Sequence, residues 1–238
     1  MSEKIIDSRP GLLVFITMSF GAALTVGRAT SWLASQLITV GESGSISELL
    51  VGVVALQIVG FGSVICVAIW RQGAEWRSFL HIQRPTEWDA FYGTATGLAM
   101  MVVASLATGL FRVLDIETVE SATGVAVDPV FYVVLLVVST LVVVPIEEAF
   151  FRGFVQTRLE QRFHTAVAIG VASLFFVVVH TNVSVGTGGE LLALGLFFSL
   201  GVVLGVSYAV TENLLVPIIG HAVYNGAQIF VRTLEVLA

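Results

Sequence analysis

The sequence predicts an all-α protein: a polytopic bundle of about seven membrane-spanning helices, within a range of six to eight, forming one domain over residues 1–238. Three observations lead there. Of the 238 residues, 56% are hydrophobic and only 12% charged, about half the charge of a soluble domain. Mean hydropathy is +0.95. The apolar residues also collect in runs of about 20, the length that crosses a bilayer as a helix. The composition excludes other classes. Cys66, the only cysteine, lies in an apolar run, so neither an intrachain disulfide nor a cysteine-built zinc cluster is available. A net charge of -6 with no basic stripe excludes nucleic acid as a partner and leaves membrane lipids.

The apolar segments run near 11–40, 47–70, 90–111, 129–154, 165–185, 191–211 and 214–237. The first follows Lys4 and Arg9 and has the look of a signal peptide. No small-residue cleavage site follows Leu12–Val26, so it is read as a retained helix. Arg28 interrupts it, which allows either one tilted helix or a span plus an interfacial piece. That arginine is read as a snorkelling side chain. Arg71, Arg77 and Arg84 fill the next loop, bracketed by Trp70, Trp76 and Trp88, as an aromatic belt requires. Arg152, Arg158 and Arg162 lie at or after the end of the fourth segment. The stretches 41–46, 112–128 and 186–190 carry only Arg112 as a cation, against Glu42, Asp115, Glu117, Glu120, Asp128 and Glu190. The positive-inside rule then makes this a multi-pass protein of the cell membrane with a cytoplasmic N-terminus, loop 71–89 and turn 155–164.

Three clusters of polar residues interrupt the later apolar segments. An ionisable group in hydrocarbon is costly and usually marks a function. The first cluster is Glu147, Glu148 and Arg152, just after Pro145. Helical spacing lets Glu148 pair with Arg152 and leaves Glu147 without a local cation, so the two acids receive different tasks. Among Val, Ile and Phe neighbours, a poorly solvated Glu147 suits a base; Pro145 loosens the helix beside it. The plain alternative is a solvated face at the helix end. The second cluster is Phe176 and His180, with His180 otherwise an interfacial residue and Phe176 a pocket wall. The third is His221 and Asn225, four apart and flanked by Gly220, Ala222, Gly226 and Ala227, which permit close helix approach; the alternative is an interhelical hydrogen-bonded pair. Together they offer the groups of a hydrolytic site: a base, histidines and an amide donor. His81 and His164 read as surface residues.

The order EExxxR (Glu147, Glu148, Arg152), FxxxH (Phe176, His180) and HxxxN (His221, Asn225) resembles the CAAX-protease and bacteriocin-processing (CPBP or Abi) family of intramembrane proteases, also called type II CAAX prenyl endopeptidases. The likeness covers residues 129–230. It implies a hydrolase that cleaves a peptide bond in a membrane-associated substrate, a peptide or a lipidated protein, prenylated C-termini included. Glu147 and His180 would activate water, and His221 and Asn225 would meet the oxyanion. Glu148, Arg152 and Phe176 would lend structural support. The chain has no GxSxG or HExxH. The cofactor stays open: none, or a divalent metal such as zinc on Glu147, His180 and His221, as in a metalloprotease. A metal-free site is preferred, since Glu147 cannot easily be both ligand and base. Two other functions remain: a non-enzymatic transporter or immunity or scaffold protein that uses the motifs for helix packing, and an electron carrier on His180 and His221. The first lacks paired broken helices; the second needs neither Glu147 nor Asn225.

Overall fold

The computed structural model describes residues 8–37, 45–114, 128–180 and 188–237. Among the described residues there are eight helices and no strand. They are α1 (Arg9–Leu37), α2 (Ile46–Gln72), α3 (Trp76–Phe79), α4 (Glu87–Val113), α5 (Pro129–Glu160), α6 (Thr165–His180), α7 (Gly188–Thr211) and α8 (Leu215–Leu237). Five of them, α1, α2, α4, α5 and α7, are long and apolar enough to cross a membrane. With the shorter apolar α6 and the 23-residue α8, the predicted seven-segment pattern stands. The surface suits lipid: Val113, Val210 and Leu141 are 83%, 77% and 70% exposed.

Local chemistry sets the helix starts. Thr86 and Asp89 form a capping box at α4, with Thr86 N–H donating to Asp89 at 2.7 Å and Asp89 N–H donating to Thr86 Oγ1 at 3.2 Å. This starts α4 at Glu87, three residues before its apolar run. Asp128 caps α5 through Val130 N–H at 2.9 Å, and Pro129 occupies the first turn. α2 ends at Gly73, whose φ of +59° suits a residue without a Cβ.

Three details refine the sequence reading. α1 runs unbroken past Arg28, which lies exposed on it, so the first segment is one helix. α5 continues to Glu160, beyond the expected end at 154, because its charged last turns still pack; the Arg158 guanidinium lies 5.9 Å from the Phe154 ring centre. The turn to α6 is therefore residues 161–164, not 155–164. Finally, α2 and α5 are not regular. Val53–Gly62, Ser139–Val143 and Ala149–Gln156 are π-helical. The second of these ends two residues before Pro145, where a missing N–H disturbs the ladder as expected.

The described residues fall into two compact units. The first is drawn from Met1–Leu80, Ala122–Phe150 and Asn225–Ala238. In it α1 packs along the π-helical part of α2. Gly60 makes this possible: a Cβ there would lie 2.7 Å from the Ala23 carbonyl oxygen. Phe20, Phe61 and Phe150 fill the core, and Phe131, Tyr132 and Ile229 form a second apolar cluster.

The second unit is drawn from His81–Ser121 and Phe151–Tyr224. There α7 packs against both α6 and α4. The start of α8 crosses α4 closely: a Cβ on Gly93 would meet Ile219 at 2.6 Å, and one on Gly220 would meet Thr96 at 2.7 Å. The small residue expected to permit helix approach does so at Gly220. Asn213 ties the turn before α8 to α4, donating to Asp89 at 2.9 Å and accepting from Gln83 N–H at 3.2 Å. His81 and His164 are exposed outside the helices, as read from the sequence.

Candidate active site

The stretch from Glu147 to Gln156 is buried at every position. Ten consecutive helical residues present every face, so none looks onto lipid. The solvated-face reading of the acidic pair therefore fails: Glu147 is 3% exposed and Glu148 fully buried. The two acids enter the site as buried groups, which need polar partners.

In the first unit, Glu147 finds one that sequence reasoning missed. Gln57 Nε2 donates to Glu147 Oε1 at 2.8 Å, across 90 positions of sequence. Gln57 is 5% exposed and lies in the π-helical part of α2, which packs on Val144–Glu148. A hydrogen bond to an ionised carboxylate is worth about 1.5–3 kcal/mol. Asn225 finds another: its Nδ2 donates to Ser139 Oγ at 3.2 Å. Ser139 is buried and opens the π-helical turn of α5. A signal for Gln57 was present in the sequence, as a lone amide inside an apolar run. Ser139 had none, since a span tolerates serine by bonding it to its own backbone.

In the second unit, Phe176 joins three predicted residues. Its ring stacks on His180 with centres 4.0 Å apart and meets His221 edge-on at 5.8 Å. The Arg152 guanidinium lies over it at 4.9 Å, within cation–π range. Phe176 thus sets both imidazoles against one ring, more than the wall expected of it. His180 Nδ1 lies 2.9 Å from the Phe176 carbonyl oxygen. A carbonyl only accepts, so Nδ1 carries the proton and Nε2 is the acceptor of the neutral ring. The Phe197 ring lies 5.4 Å from His180. His180 is half-buried, His221 buried.

Arg152 is fully buried, and its NH2 group donates to the Gly201 carbonyl at 3.0 Å. One turn on, Gln156 Nε2 donates to the Gly205 carbonyl at 3.0 Å. A side chain at either acceptor would crowd its neighbour: a Cβ on Gly201 would sit 3.0 Å from Ser173 Cβ, and one on Gly205 would sit 2.9 Å from Ile169. Glu148 ends the α-helical turn Val144–Glu148, and Arg152 lies in the π-helical segment Ala149–Gln156.

Among the described residues, no three His, Cys, Asp or Glu side chains gather where they could hold a metal ion. No step below is routed through a metal.

Residues 129–227 match the family model described as type II CAAX prenyl endopeptidase Rce1-like. The match covers somewhat under half of the chain and contains all seven residues of the three motifs. The resemblance drawn from those motifs holds over this stretch. No curated protein and no solved structure matches the chain.

Proposed function

We propose that the protein is an intramembrane endopeptidase that hydrolyses a peptide bond of a membrane-associated substrate. The observation that carries this reading is that the matched stretch holds buried Glu147, bonded to a neutral amide, and the Phe176 cluster with its two imidazoles.

The chemistry needs no covalent intermediate. Glu147 takes a proton from water as the oxygen adds to the scissile carbonyl. His180 Nε2 accepts a hydrogen bond from that water and orients it. His221 and Asn225 donate to the oxyanion; one such donor is worth about 3 kcal/mol. Collapse breaks the C–N bond, and Glu147 returns the proton to the leaving amine. The products are a carboxylic acid and an amine, and the acid's remaining proton passes to the amine or to solvent. Glu148, Arg152 and Phe176 hold the frame. The N-terminus faces the cytoplasm in this reading.

The test is mass spectrometry of products after full-length protein in liposomes meets membrane-anchored peptides, with and without a prenyl group. A defined cleavage made by wild type and lost in both His180→Ala and His221→Ala is expected. Full cleavage by both variants overturns the assignment of roles. Cleavage confined to the prenylated peptide narrows the substrate to lipidated C-termini.

A further inference from the structure

We infer that Gln57, outside the matched stretch 129–227, is a positioning residue that fixes the Glu147 carboxylate for proton transfer. The inference rests on the role proposed for Glu147.

Four observations carry it. Gln57 is the only residue of Val53–Gly62 whose side chain can hydrogen-bond, so its presence in an apolar span needs a reason. It is buried, and its amide nitrogen reaches Glu147 Oε1 at 2.8 Å. It lies on a π-helical segment, a costly geometry that recurs at functional sites and turns side chains away from the regular helical register. Its own Oε1 is buried without a hydrogen-bond partner among the described residues. Here one end holds the carboxylate, and the other is an acceptor for an O–H or N–H of the reacting partners.

The choice of an amide fits the task. A lysine or arginine would also hold the carboxylate, but as an ion pair that stabilises the charge and weakens the base. A neutral donor fixes the plane of the carboxylate without itself adding a compensating charge. Leucine would preserve the volume and lose the hold.

The experiment measures kcat, KM and melting temperature for full-length wild type, Glu147→Gln, Gln57→Leu and Gln57→Lys in liposomes with a quenched membrane-anchored peptide. Gln57→Leu is expected to lower kcat about a hundredfold, the loss typical of a misplaced catalytic group, with KM within about twofold. Gln57→Lys is expected to keep the melting temperature and still lose kcat. A glue residue gives the opposite: Lys, a stronger bond to a carboxylate, keeps both. Wild-type kcat in Gln57→Leu or Gln57→Lys overturns the inference, and so does failure of both to fold. If Glu147→Gln is inactive while Gln57→Leu is not, only this inference fails. If Glu147→Gln turns over like wild type, the role of Glu147 fails first.

Discussion

The two units hold their polar groups by different means. In the first, side chain meets side chain: Gln57 on Glu147 and Ser139 on Asn225, both partners on π-helical turns. In the second, an aromatic ring and backbone carbonyls do the holding. Phe176 touches His180, His221 and Arg152, while Gly201 and Gly205 accept from Arg152 and Gln156. The chemistry of the held groups explains the split. A carboxylate needs a directed donor, whereas an imidazole is oriented by the plane of a neighbouring ring and one carbonyl. A glycine carbonyl serves a guanidinium because helices pressed together bring it within reach. The first unit should therefore fail by loss of chemistry at near-native stability. The second should fail by loss of packing, with activity following.

The strongest attempt to break that contrast is Phe176→Ala. It removes the ring that three groups share, so a loss of about 3–5 kcal/mol is expected together with loss of turnover. A melting temperature close to wild type would erase the distinction between the units. Next is Gly97→Ala, whose new methyl would meet Val223 at 2.7 Å and the Gly220 carbonyl at 2.8 Å. Overpacking of this kind costs about 1–3 kcal/mol, read as a lower unfolding midpoint. Ser139→Ala, in the first unit, removes one hydrogen bond from Asn225. About 0.6 kcal/mol of stability is at stake, so kcat is expected to fall further than the melting curve moves. Arg28→Gln, on an exposed face of α1, should stay within about 0.5 kcal/mol of wild type.

Much of the fold was legible because apolar runs and positions of charge set spans without reference to distant contacts. Arg28 left two forms of the first segment open, and as an exposed arginine that can snorkel it sits on one unbroken α1. The end of α5 was misjudged because Arg158 and Glu160 read as loop, although an aliphatic stem can continue along a helix. The motif residues were legible from their type and spacing. Their partners were not, because Gln57 and Glu147 are separated by 90 positions and no local pattern links them. π-Helical turns were equally hidden: a single extra residue per turn leaves composition unchanged.

The account turns on Glu147 as the base. The most direct measurement is product formed from a quenched membrane-anchored peptide by purified full-length protein in liposomes, wild type against Glu147→Gln. That change keeps the shape and an oxygen to accept from Gln57 Nε2, and removes the basic carboxylate. The account predicts steady hydrolysis by wild type and a loss of at least about a hundredfold in the variant. Equal rates in the two proteins would contradict it.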